Sequence, residues 1–223
     1  MPVSLVFDLD GTLVDSAPDL HYCTNILLGE LGKPELDLKT VTGFIGHGVG
    51  PLVKQVLVQT GHAHIDRDLQ TMTDRFIEIY AANPARFCKP FAGVLETLET
   101  LQSLGHNMAI CTNKSFQLAR LVVDAVGIDR FCPVLIGGDS LPERKPDPAP
   151  LYECMHRLDT ETCIYFGDSE TDAKTAKNAQ MPFLLHTKGY RKTPAHALYH
   201  TASFDDWSQV VGILSSENIC SKP

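Results

Sequence analysis

At 223 residues the chain is long for one small core and short for two full domains, so one main domain carrying an insert fits best. Apolar residues make up 43% and charged residues 21%, which excludes a disordered chain; with no apolar run of spanning length, no membrane partner is expected. The net charge of −8 comes without a basic cluster, which argues against nucleic acid and requires any anion to be bound by a local arrangement.

In chain order, residues 3 to 7 form a short apolar, β-favouring run that suits a strand buried on both faces of a parallel sheet. No basic region or apolar signal core precedes it, so a cytoplasmic location is expected. From Ala17 to about Leu31, Leu20, Cys23, Ile26, Leu27 and Leu31 recur at helical spacing, and Gly32-Lys33-Pro34 stops the pattern. Thr40 to Ile45 leads into a flexible loop, Gly46-His47-Gly48-Val49-Gly50. Leu52, Val53, Val56 and Leu57 then restore the helical period as far as Gly61, and another helix is predicted from about Arg67 to Ala82. Residues 17 to 82 are therefore read as all helical, too long for a simple crossover and better described as an insert.

After Pro90-Phe91-Ala92-Gly93 the character changes. A helix through Val94, Leu95, Leu98 and Leu101 closes at Gly105, and Met108 to Cys111 is a strand. Phe116 to Val126 is a helix, and Val134 to Ile136 a strand. Pro150 to Leu158 is a helix, Cys163 to Gly167 a strand, Thr171 to Ala179 a helix, and Phe183 to His186 a fifth strand. This alternation predicts an α/β fold, a doubly wound parallel sheet with helices on both faces and an inserted all-helical segment. The domains are then 1–15 and 86–223 for the core, with 16–85 inserted. Ser215 to Pro223 is expected to fray. The seven cysteines are odd in number and show no Cys-x-x-Cys pair, which reads as reduced, mostly buried thiols. His62 and His64 are read as solvated loop residues, and His196 and His200 as surface histidines of a helix lacking a third zinc ligand.

Polar residues gather at the strand ends. Asp8 and Asp10, spaced by two, leave the first strand on one side, where Gly11 lets the chain turn. Two carboxylates so placed repel each other unless a cation sits between them or one holds a proton. Thr112 and Asn113 follow the second strand at a helix start, a place that serves either capping or anion binding. Lys145 lies in Arg-Lys-Pro-Asp-Pro, where two prolines fix the loop. Asp168 and Asp172 lie four apart at the start of another helix. Each has a structural reading alone, but in a parallel sheet all four strand ends open on one edge, so these groups converge on one crevice. Hard oxygen ligands of this kind suit Mg²⁺, and lysine with threonine suits a phosphate.

With those residues in view, the chain resembles the haloacid dehalogenase superfamily of phosphohydrolases over its whole length. The resemblance rests on Asp8-Leu-Asp10-Gly-Thr-Leu, Thr112, Lys145 before proline, and Gly167-Asp168 with Asp172. It implies that Asp8 is the nucleophile, Asp10 the general acid and base, and that Thr112, Asn113 and Lys145 bind phosphate. Mg²⁺ would be held by Asp8, Asp168 and the backbone carbonyl of Asp10, with Asp172 acting through a water or by orienting its neighbours. The helical insert looks like the family's cap. Within the superfamily the chain most resembles bacterial phosphoglycolate phosphatases, through Asp15-Ser-Ala-Pro-Asp-Leu20, Gly46-His-Gly48 and Thr112-Asn-Lys114. It departs from them in having Gly-His-Gly for the usual Gly-Asn-Gly and Gln55 where an arginine is frequent. The expected substrate is a small phosphorylated metabolite, with His47 and Lys54 of the insert expected to select it.

Overall fold

The protein is described from a computed structural model covering residues 2–216. The chain begins with strand β1, Ser4–Phe7, and a two-residue strand β2, Val14–Asp15. Four helices follow: α1 (Ala17–Glu30), α2 (Leu38–Thr42), α3 (Val49–Gln59) and α4 (Ile65–Ala82). The chain returns through β3 (Lys89–Pro90) and α5 (Val94–Ser103) to β4 (Met108–Cys111), α6 (Phe116–Ala125), β5 (Val134–Ile136) and α7 (Ala149–Arg157). It continues through β6 (Cys163–Gly167), α8 (Glu170–Ala179), β7 (Phe183–His186), β8 (Ala202–Phe204) and α9 (Val210–Ser215). Ser215 closes the last helix; the rest of the stretch expected to fray, residues 217–223 with Cys220, lies outside the described residues.

The main sheet has six strands in the order β5-β4-β1-β6-β7-β8, all parallel. The sequence predicts five of them. The sixth, β8, has only three residues and its apolar content is Ala202 and Phe204, too little for a pattern to show; it forms because Leu184 to His186 offer it a free edge. Alternation explains the two-sided core. Leu5, Phe7, Ile110, Phe166 and Leu184 face one side, with α5, α6 and α9, while Val6, Ala109, Cys111, Tyr165 and Phe183 face the other, with α7 and α8. Because β4 lies on one side of β1 and β6 on the other, the connections leave in opposite directions there, which opens a crevice at the carboxyl ends of β1 and β6.

α1, α3 and α4 pack on one another through Leu27, Leu28, Val53, Val56, Leu57, Phe76 and Tyr80, all buried. Both crossings between these helices and the sheet run together, as β2 pairs antiparallel with β3 through Val14 with Pro90 and Asp15 with Lys89. The junction is tied twice. The buried Asp19 carboxylate accepts from the backbone N–H of Phe87 (2.8 Å) and Cys88 (3.0 Å), and the Tyr190 hydroxyl donates to Asp15 (2.7 Å) while accepting from the N–H of Ser16 and Ala17. Six cysteines in the described residues are free and buried. His62, expected in solvent, instead contacts Asp68 at 3.0 Å. Among the described residues no helix is long and apolar enough to cross a membrane.

Candidate active site

Asp8 leaves the end of β1 with its backbone N–H bonded to Phe166 of β6 at 2.8 Å, which fixes it beside the segment carrying Asp168. The loop behind it is tight: Thr12, Leu13 and Val14 all donate to the Leu9 carbonyl, and Gly11 sits at φ +87°, a conformation that favours glycine. Asp8 and Asp10 line the same cavities, as their spacing predicts. Lys145 reaches Asp8 Oδ1 at 2.8 Å, Asp172 Oδ1 at 2.7 Å and the Tyr165 hydroxyl at 2.9 Å, and is only 4% exposed. Asp172 lies at N3 of α8 and forms a capping box with Ser169. Its Oδ2 accepts from Ser169 Oγ and from the N–H of Asp168 and Ser169, while Oδ1 accepts from Lys145 and Tyr165. With both oxygens so occupied, Asp172 holds the Lys145 ammonium in place.

Asp168 occupies a slot between glycines. A Cβ added at Gly11 would lie 2.5 Å from its Oδ2, and one added at Gly189 would lie 2.3 Å from its Cβ. Its Oδ1 accepts from Thr12 Oγ1 at 3.0 Å and its Oδ2 from the Tyr190 N–H at 2.5 Å. Asp8, Asp168 and Asp172 bring one carboxylate oxygen each within 4.8 Å of one another. Burial, followed by the charge of Asp172, raises Asp8 to about 7 against the pull of Lys145; burial, then Asp172 and Asp8, raises Asp168 well above the carboxylate range. At Asp172, burial is overcome by Lys145 and the hydrogen bonds, and the group stays below its usual value. Buried acids that oppose each other's ionisation, with hard oxygen donors facing one point, fit a divalent cation.

Thr112 is 4% exposed and lines the cavity over Asp8; its Oγ1 accepts from the Lys114 N–H at 3.2 Å, which leaves the hydroxyl proton for an incoming anion. Asn113 takes a different post from the one expected. Its amide hydrogens go to the carbonyls of Gly46 and Lys145, both at 3.1 Å, so the side chain ties the insert's loop to the core instead of offering donors to a phosphate. His47 lines the outer cavity and lies 3.5 Å from Thr171 Oγ1. Lys54 is exposed on α3 and lines neither cavity; Gln55 beside it faces the outer one.

Lys114, Tyr165, Ser16 and Tyr190 are the site residues that sequence reasoning passes over. Lys114 Nζ lies 3.0 Å from Asp10 Oδ1 and 4.5 Å from the Tyr80 ring centroid, and Ser16 Oγ donates to the same Asp10 oxygen at 2.5 Å. Tyr165 carries a weak signal, a hydroxyl inside an apolar strand, and Lys114 follows Thr112 and Asn113 directly. Tyr190 sits in a loop with no pattern to mark it. The inner cavity is floored by Asp8, Asp10, Thr112, Lys114 and Lys145 and walled by Leu20, Ile45, Val49 and Leu52 of the helical insert.

A paired acid at the sheet's switch point, a lysine on one acid and a roof of inserted helices define an enzyme of phosphoryl-group chemistry. Residues 5–186 match the family model described as haloacid dehalogenase-like hydrolase. A phosphoglycolate phosphatase of Cereibacter sphaeroides is 42% identical over 210 residues, 94% of this chain and 96% of that one. One of Rhodobacter capsulatus is 40% identical over 220 residues, 96% of this chain and 97% of its own. A crystal structure described as a predicted phosphoglycolate phosphatase from Haemophilus somnus superposes with a TM-score of 0.89 at 30% identity, covering 96% of this chain and 98% of that one. The chain belongs to the haloacid dehalogenase-like hydrolase family.

Proposed function

We propose that this phosphatase hydrolyses 2-phosphoglycolate to glycolate and phosphate through a phospho-aspartate on Asp8, with Mg²⁺ as its cofactor and the cytoplasm as its location. The observation that carries the reading is the Lys145–Asp8 contact at 2.8 Å on the floor of a small, largely apolar-walled cavity. Relatives about 40% identical and named phosphoglycolate phosphatase support the choice of substrate.

Asp8 attacks phosphorus as the carboxylate, and the ester bond to the leaving oxygen breaks. Asp10, protonated, passes its proton to that oxygen and then, as carboxylate, takes one from the water that hydrolyses the acyl phosphate. Ser16 Oγ and Lys114 fix the Asp10 side chain for both steps. Lys145 and Thr112 hold phosphoryl oxygens, and Asp172 and Tyr165 keep Lys145 in place; positioning and charge stabilisation supply most of the catalysis in phosphoryl transfer. Asp8 and Asp168, with the Asp10 carbonyl, would hold Mg²⁺, which when bound neutralises phosphoryl charge and favours ionised Asp8. We read residues 16–85 as a cap that closes over the leaving group, with β2 and β3 as its hinge and the Asn113–Gly46 bond as a clasp.

A panel of phosphate esters tests the proposal. Turnover efficiency should be highest for 2-phosphoglycolate, and His47→Ala should lower it more than it lowers nitrophenyl phosphate turnover. A hexose phosphate or pyrophosphate at the head of the panel would refute the substrate while leaving the role of Asp8 intact.

A further inference from the structure

Lys114 carries a charge that the reaction at Asp8 does not explain. It is 5% exposed, its ammonium lies over the Tyr80 ring of α4, and the anion it touches is Asp10, at 3.0 and 3.4 Å to the two oxygens. An ammonium has three donors, so one lining the inner cavity can hold an oxygen of a ligand there as well as its contact with Asp10. A buried cation on a cavity wall is a receptor for a negative charge that the ligand brings.

The cavity narrows what that charge is. Lys145 is committed to the phosphoryl side by its contacts with Asp8 and Asp172. Lys114 is the other cation lining the inner cavity, and it stands beside Asp10, so it faces the leaving group. The opposite walls, Leu20, Ile45, Val49 and Leu52, offer no side-chain partner to the hydroxyls of a sugar. We propose that Lys114 is the receptor for the leaving group's anion: it binds a carboxylate one carbon from the ester oxygen, close to Asp10, and thereby selects 2-phosphoglycolate over neutral phosphate esters of the same length. The inference rests on the phosphatase reading given above and assigns its specificity to one side chain.

The test is the ratio of kcat/KM for 2-phosphoglycolate to that for ethyl phosphate, measured in wild type, Lys114→Met and Lys114→Gln. Both variants slow both substrates because Asp10 loses its ammonium partner, and the ratio cancels that shared loss. A hydrogen bond to a charged group sets the expected fall in the ratio at roughly 10- to 100-fold. The Gln variant, which keeps a donor for Asp10 but no charge, should lose the ratio as Met does, and it serves alone if the Met protein does not fold. A ratio unchanged from wild type while both rates fall together would overturn the proposal, because Lys114 would then act on Asp10 only. A wild-type ratio near one would instead refute the phosphoglycolate reading itself.

Discussion

Gly189→Ala places a methyl group into the slot that holds Asp168. Its Cβ would stand 2.3 Å from Asp168 Cβ and Oδ2, about 1 Å inside ordinary contact. Asp168 cannot back away, because Gly11 closes the other side and Thr12 holds Oδ1. The strain is therefore relieved by shifting the carboxylate sideways or by withdrawing the loop, and the latter drags the Tyr190 N–H from Oδ2. Overpacking of this kind costs about 1–3 kcal/mol of stability. A displacement of about 1 Å in a catalytic arrangement costs on the order of 100-fold in rate. Turnover of nitrophenyl phosphate at saturating Mg²⁺ should fall by that order, the Mg²⁺ concentration for half-maximal rate should rise, and circular dichroism should remain native. A variant with kcat within about twofold of wild type and an unchanged metal requirement would refute the claim that the two glycines exist to seat Asp168.

Chelation should stop turnover, Mg²⁺ should restore it, and Ca²⁺ should substitute poorly because its looser coordination misplaces the attacking oxygen; equal rates with either ion would contradict this. Asp10→Asn should cost far more on alkyl phosphates than on nitrophenyl phosphate, whose leaving group needs no proton, and equal losses would count against Asp10 as the acid. Tyr165→Phe removes the hydroxyl between Lys145 and Asp172 and should lower stability by about 1–2 kcal/mol in urea unfolding, with no change expected if that bond is idle. His186 donates from Nδ1 to the Gly11 carbonyl at 2.9 Å, and burial holds its pKa below 6.5. The unfolded chain therefore binds a proton that the folded chain refuses, so stability falls as pH drops below about 6.5. His186→Asn should flatten that fall when unfolding is compared at pH 7.5 and 5.5, and parallel curves would show that His186 does not cause it.

Most of the sheet was legible because its strands are buried on both faces. Leu5 to Phe7, Met108 to Cys111 and Cys163 to Gly167 read as apolar runs, and their polar ends fall on one edge because the strands are parallel. β8 escaped because an edge strand of three residues is defined by its neighbour β7 and not by its own composition. That Asp8, Asp10, Thr112 and Asp168 would gather was legible for the same reason, each standing at or near a strand end, while Lys145 comes well after β5 and reaches them through its loop. What sequence could not supply was partnership. Asn113 and Lys114 differ by one position, yet the first clasps the Gly46 loop and the second reaches Asp10, a division set by side-chain direction at the start of α6. Tyr190 joins Asp168 to Asp15 of β2 because the loop after β7 folds back over Gly11, a return that no local pattern announces. Lys54 illustrates the converse: a cation near a promising loop, but on the outer face of α3, where the helical period turns it to solvent.

The central claim is that Asp8 becomes phosphorylated. Enzyme mixed with substrate, quenched in acid within the first turnover and reduced with borohydride, should give homoserine at position 8 in the digested protein, because an acyl phosphate is reduced where a free carboxylate is not. Absence of that product, together with inversion of configuration at phosphorus in a chiral phosphate ester, would mean that water attacks directly and would contradict the account.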